Sequence, residues 1–174
     1  MKIMNIHGYK GSAENSAFNA LKNLGHEVVS PCIDYDSGNA YKIYEKIRKI
    51  FVDSNFDCVV GTSLGGFFAL YLATNFYGVK YFLVNPCVMP FLTLPRLEFE
   101  ENITEYIDLF HKFCNLEKSF YGTVSAVIGG DDEIIDYHDF TQKIIGKDNC
   151  IIVPDGKHSG ATLNLEYYFE RLIK

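Results

Sequence analysis

Short β-type runs alternate with helix-like stretches along the whole chain, and few folds accommodate such an alternation. The β-type runs cover Lys2–Ile6, Glu27–Ser30, Cys58–Val60, Tyr81–Val84, Val124–Ile128 and Asn149–Val153, each bounded by Gly, Pro, Asn or Asp. Between and after them lie Ala13–Leu24 behind a Ser12 cap, Ala40–Ser54, Leu64–Phe76, Ile103–Asn115, Tyr137–Ile145 and Leu163–Ile173, all of helical character. This order predicts an α/β domain: a doubly wound, mostly parallel sheet of about six strands with helices on both faces. A ligand site is then expected beyond the carboxyl ends of the strands. With 174 residues and 48% of them hydrophobic, one domain over 1–174 has enough apolar surface for a single core. No repeat, low-complexity tract or Gly/Ser linker divides the chain.

Composition removes several classes of function. Sixteen Lys plus Arg against 22 Asp plus Glu give a formal charge of −6, which repels a phosphate backbone, so no nucleic acid partner is expected. Five cysteines, Cys32, Cys58, Cys87, Cys114 and Cys150, are odd in number and widely spaced. They fit neither a C-x-x-C metal site nor a disulfide framework, and point to a reducing cytoplasm. The apolar stretch before His7 is too short for a secretory signal. Residues 58–79 carry no charged side chain, a length that matches a membrane span, but Gly61, Gly65 and Gly66 break the run into strand, turn and helix. No membrane span is expected.

The chemistry concentrates where strands end. Gly61-Thr62-Ser63-Leu64-Gly65 fits G-x-S-x-G between the third strand and an apolar helix, the setting of a nucleophile elbow. A glycine-rich turn alone would show the same letters, and Phe67 stands where a phosphate-binding loop requires Lys. A serine hydroxyl is a weak nucleophile until a base takes its proton and an acid fixes that base's tautomer. Downstream, Gly129-Gly130-Asp131-Asp132-Glu133 follows the fifth strand and Asp155-Gly156-Lys157-His158-Ser159-Gly160 follows the sixth. The order serine, acid, histidine is that of an α/β-hydrolase. Ser63, Asp132 and His158 are the expected catalytic residues, with Asp131 as the other choice of acid. His26, His111 and His138 read as surface or satisfied histidines. The helix start supplies the Leu64 N–H to an oxyanion, and the loop His7-Gly8-Tyr9-Lys10-Gly11 supplies that of Tyr9, with His7 bracing it.

IHGYKGS, GTSLGGFFALYLA, LVNPCVMP, GGDDEIIDY and GKHSG together resemble the small bacterial esterases of the YqiA type, an uncharacterised family of α/β-hydrolases, over nearly the whole chain. The extra acid in Gly130-Asp131-Asp132-Glu133 and the absence of tryptophan depart from that pattern. The resemblance implies a carboxylesterase or acyl thioesterase acting on short to medium acyl groups, without metal or organic cofactor. The apolar stretch from Pro86 to Pro95 is expected to resist regular structure, because Pro86, Pro90 and Pro95 interrupt it. Phe91, Leu92 and Leu94 are read as one wall of an acyl pocket, with plain core packing as the other reading. Too few residues separate the fourth and fifth strands for a large lid, so small soluble esters or thioesters fit best. A serine amidase or peptidase would use the same triad, and a non-catalytic scaffold that binds a ligand or partner is the reading from outside enzymology.

Overall fold

In a computed structural model, described for residues 1–37, 39–114 and 123–173, six strands form one sheet in the order β2-β1-β3-β4-β5-β6, and every pair is parallel. The strands are β1 (Lys2–Ile6), β2 (Glu27–Val29), β3 (Cys58–Thr62), β4 (Lys80–Val84), β5 (Val124–Gly129) and β6 (Cys150–Val153). The central strands read as unbroken apolar runs because both their faces are covered, whereas the two edge strands are short and only half-buried.

Among the described residues, seven α-helices complete the layers: α1 (Ser16–Asn23), α2 (Ala40–Val52), α3 (Leu64–Ala73), α4 (Pro90–Thr93), α5 (Thr104–Cys114), α6 (His138–Ile145) and α7 (Leu165–Leu172). On one face, Ile43 and Ile47 of α2, Phe67 and Phe68 of α3, Tyr106 and Leu109 of α5 and Ile145 of α6 bury one apolar cluster. On the other, Ala17 and Leu21 of α1 join Leu165 and Phe169 of α7 against Ile3, Val60 and Phe82. Each fully buried Phe among these contributes about 1.5–3 kcal/mol over an exposed one. α3 is apolar all round because it is sandwiched in the core, which accounts for the uncharged run 58–79. Among the described residues, no helix is long and apolar enough to cross a membrane.

Two local expectations are corrected. Asn15, not Ser12, caps α1: its carboxamide oxygen accepts the Phe18 N–H at 2.9 Å, so the helix starts three residues later than the Ala13 boundary. The segment after β4 is also not irregular, since Pro90 occupies the first turn of α4, where its missing N–H is harmless, and Leu94–Leu97 form a 3₁₀ turn. The Asn115 end of the fifth expected helix lies outside the described residues.

Register brings the carboxyl ends of the strands to one level, with Ile6 opposite Gly61, Thr62 opposite Val84, Val84 opposite Val127 and Gly129 opposite Val153. The loops after β1, β3, β4, β5 and β6 therefore open on one edge of the sheet.

Candidate active site

At the end of β3 the backbone turns into α3 within one residue. Ser63 takes φ 52°, ψ −119°, a conformation that L-residues rarely adopt. The turn closes because Gly61 and Gly65 lack side chains: a Cβ at Gly61 would sit 2.6 Å from the Gly65 carbonyl oxygen, and one at Gly65 would overlap that of Ile6. Ser63 stands at the helix's N-cap position but makes no side-chain cap bond, so its hydroxyl is available to another partner.

That partner is His158. Its Nε2 lies 3.1 Å from Ser63 Oγ, and its Nδ1 lies 2.9 Å and 3.0 Å from the two oxygens of Asp132. A carboxylate only accepts hydrogen bonds, so Nδ1 carries the proton and Nε2 presents its lone pair to the serine hydroxyl. The imidazole rests on Asp132 and not on Asp131, whose backbone N–H donates to the Gly156 carbonyl at 2.9 Å.

Asp132 has a side chain only 1% exposed, and burial by itself pushes its carboxyl up. Hydrogen bonds from His138, His158 and the Ile135 amide outweigh that effect and hold it well below the usual carboxylate range. Its Oδ1 also accepts the Ile134 amide, each amide at 2.9 Å. Neighbouring Glu133 accepts the backbone N–H of His158 at 3.1 Å, which keeps its carboxyl below the ordinary value.

The loop after β1 completes the site. A Cβ on Gly8 would lie 2.9 Å from the Cβ of Ser63, so only glycine lets this backbone approach the serine. The Ile33 N–H donates to His7 Nε2 at 3.0 Å, which leaves the ring proton on Nδ1, where it is donated to the Gly8 carbonyl at 2.8 Å. Gly11 N–H donates to the same carbonyl at 3.1 Å. Pinning that oxygen in a trans peptide turns the Tyr9 N–H to the opposite side. Among the described residues, neither the Tyr9 nor the Leu64 N–H has a protein acceptor.

Beside Ser63 lies a cavity of about 200 Å³ bounded by Gly8, Tyr9, Asn15, Ala17, Ser159 and Leu165, among others. Its walls come from the loops after β1 and β6 and from the first residues of α1 and α7. Phe91, Leu92 and Leu94 do not line it. Phe91 packs edge-on against Phe110 at 5.1 Å, Leu92 is exposed, and Leu94 is buried in the core, because the segment they belong to coiled into α4 and the following turn.

Two residues of the site escaped the sequence reading. Asn85 is buried just past β4; its amide donates to the carbonyls of Lys157 and His158, both at 2.9 Å, and its oxygen accepts the Gly129 N–H at 2.7 Å. His138 is not a surface histidine: its Nε2 lies 2.8 Å from Asp132 Oδ2. The usable signals were an asparagine at a strand's carboxyl end and a histidine in the first turn after an acidic loop. Among the described residues, no group of three or more His, Cys, Asp or Glu is arranged to hold a metal ion.

A family model for the uncharacterised protein family UPF0227 matches residues 2–174. The chain belongs to that family. No curated protein matches it. Among solved structures, this UPF0227 member is similar to the metagenome-derived lipolytic enzymes LipS and LipT (14% identity, TM-score 0.74, 99% of this chain and 91% of that one). It is also similar to Est1E from Butyrivibrio proteoclasticus (18%, TM-score 0.69, 99% and 88%) and to alpha/beta hydrolase domain-containing protein 10 from mouse (18%, TM-score 0.67, 99% and 89%). At such identities the likeness is one of fold, and the fold is that of the α/β-hydrolases, with no lid domain among the described residues.

Proposed function

We propose that this UPF0227 protein is a serine hydrolase that cleaves small carboxylic esters or acyl thioesters through an acyl-enzyme. The observation that carries the reading is the continuous line Ser63 Oγ, His158 and Asp132, with spacings of 3.1 Å and 2.9 Å, together with the Tyr9 and Leu64 N–H groups that have no protein acceptor among the described residues. His158 Nε2 takes the Ser63 proton as Oγ attacks the carbonyl carbon. The Leu64 and Tyr9 amides hold the oxyanion, and α3 adds the positive end of its dipole. His158 then returns the proton to the departing alcohol or thiol, and water, deprotonated by the same nitrogen, releases the acid. Asp132 keeps the imidazole in its Nδ1–H tautomer and stabilises its charged form without accepting the proton.

The small cavity, with Asn15, Ser16, Thr62 and Ser159 among its walls, favours short acyl or alcohol groups over long lipid chains. The test is labelling with a fluorophosphonate and peptide mass spectrometry on the wild type, Ser63→Ala and His158→Ala. An adduct on Ser63 that is lost in both variants supports the reading and opens a chain-length screen with p-nitrophenyl esters and acyl thioesters. Folded wild-type protein that takes no label overturns it and leaves a non-catalytic scaffold.

A further inference from the structure

Asp132 serves two histidines, and the proposed mechanism uses only one. His138 opens α6, and its Nε2 stands 2.8 Å from the same carboxylate oxygen that His158 Nδ1 approaches to 2.9 Å. The two imidazoles share an acid whose other oxygen is held by the amides of Ile134 and Ile135. Because the carboxylate accepts only, His138 Nε2 is the donor, and its side chain is 12% exposed. Its Nδ1 is buried with no hydrogen-bond partner among the described residues, so a proton there would have no acceptor; the geometry suits the Nε2–H tautomer.

The backbone of His138 is anchored by its predecessor. The Tyr137 hydroxyl lies 2.6 Å from Thr93 Oγ1 and donates to the Met89 carbonyl at 3.1 Å, tying the start of α6 to the segment after β4. On its outer side His138 borders a cavity of about 270 Å³ that it shares with Asp132, Asp136, Asp139 and Gln142. The Arg96 guanidinium from the 3₁₀ turn pairs with Asp136 at 3.1 Å. Asp132, Asp139 and Asp136 with its partner Arg96 are thus charged groups around that imidazole, with His158 beyond Asp132.

The geometry points to His138 as a positioning residue: by donating to Oδ2 of Asp132 it fixes the plane of the carboxylate and draws off part of the charge that would otherwise act on His158. This rests on the serine hydrolase reading, and it assigns the site an inner acid buttressed from both sides. Without His138, Oδ2 keeps only the His158 contact, and the carboxylate is held on its other oxygen by the Ile134 and Ile135 amides, a less complete fixation of its plane. A misaligned base slows proton transfer, while an undiluted negative charge favours the protonated form of His158.

The experiment compares the wild type with His138→Leu, which removes the donor, and His138→Gln, which keeps an N–H at similar reach. Two readouts are taken, the pH profile of kcat and KM on a soluble p-nitrophenyl ester and the NMR titration of the His158 imidazole. In His138→Leu, kcat is expected to fall about tenfold with KM within about twofold, and the acid limb and the NMR midpoint to move to higher pH. His138→Gln restores most of the rate and returns the midpoint toward wild type. On an Asp132→Asn background, His138→Leu adds little further loss. An unchanged His158 midpoint in His138→Leu overturns the inference, as does an equal rate loss in both His138 variants with the acid limb unmoved. The NMR arm needs no turnover, so a wild type that hydrolyses no ester refutes the hydrolase reading separately.

Discussion

Replacing Gly65 by alanine puts one methyl group where the backbone leaves no room. The new Cβ would overlap the carbonyl oxygen of Ile6 and lie within 2.6 Å of that of His7. Neither oxygen belongs to a side chain that can rotate away, and Ile6 is the last residue of β1, held between β2 and β3. Overpacking against side chains costs about 1–3 kcal/mol; two backbone oxygens put this case at about 3 kcal/mol or more. In a domain of this size each kcal/mol lowers Tm by roughly 2–4 °C, so the drop is about 6–12 °C. Gly25→Ala is the control: nothing lies within 4 Å of its Cβ, and only its φ of +80° resists the change. That strain, partly offset by a stiffer unfolded chain, costs about 1 kcal/mol, or roughly 2–4 °C. Calorimetry gives the melting temperatures, and fluorophosphonate labelling follows the serine. Gly65→Ala is expected to lose labelling together with stability, and Gly25→Ala to keep it. If Gly65→Ala melts within 2 °C of wild type and labels at the same rate, the account of a closed elbow is wrong.

Asp132→Asn should lower turnover by about 10³–10⁴-fold, because the amide no longer selects the Nδ1–H tautomer of His158. It should also flatten the acid sensitivity of the fold. The Asp132 carboxyl is held below its unfolded value of about 3.9, so it stabilises the native state above that pH, and this contribution fades as pH falls below it. Urea midpoints from pH 6 to pH 3 that drop equally in both proteins would reject this. Gly8→Ala, whose Cβ would lie 2.9 Å from Ser63 Cβ and 3.4 Å from its Oγ, should cut kcat/KM by about tenfold or more while Tm changes by less than about 3 °C. A variant with wild-type kinetics would mean the loop gives way. Asn85→Asp keeps the shape but faces two carbonyl oxygens with an acceptor; a loss of about 2–4 kcal/mol in stability and a slower enzyme are expected. Unchanged urea unfolding would show that the His158 loop is held by other contacts.

The sheet was legible because burial on both faces leaves a plain mark. β1 and β4 are short apolar runs with breakers on each side, and their observed bounds differ from the expected ones by a residue at most. Ser63, His158 and the acidic loop were legible because the sharp turn and the strand ends restrict which residue types can stand there. What was hidden depends on distances that sequence does not carry. Choosing Asp132 over Asp131 needed the direction of one side chain, and His138 reaches that carboxylate only because α6 starts beside it. Asn85 joins loops 44 to 73 residues away along the chain, a coupling that no local pattern records. The cavity also lies on the α1 and α7 side rather than beside Phe91, since an apolar stretch near a strand end looks the same whether it lines a pocket or folds into the core.

β6 is one of the two edge rungs of the sheet. It has four residues, pairs only with β5, leaves Ile152 42% exposed, and carries His158 on the loop that follows. The proposed base follows an edge strand, where a sheet is expected to open early, while Ser63 follows a central strand, where opening is expected late. Under mild denaturant the nucleophile is expected to fall silent before the core dissolves: esterase activity fades at lower urea than the circular dichroism signal, and hydrogen exchange at Ile151 and Ile152 runs ahead of that at Val59 and Val60. Robustness of the fold and robustness of the chemistry are then separate properties of one sheet, and reinforcing its outer edge would extend the second without touching the first.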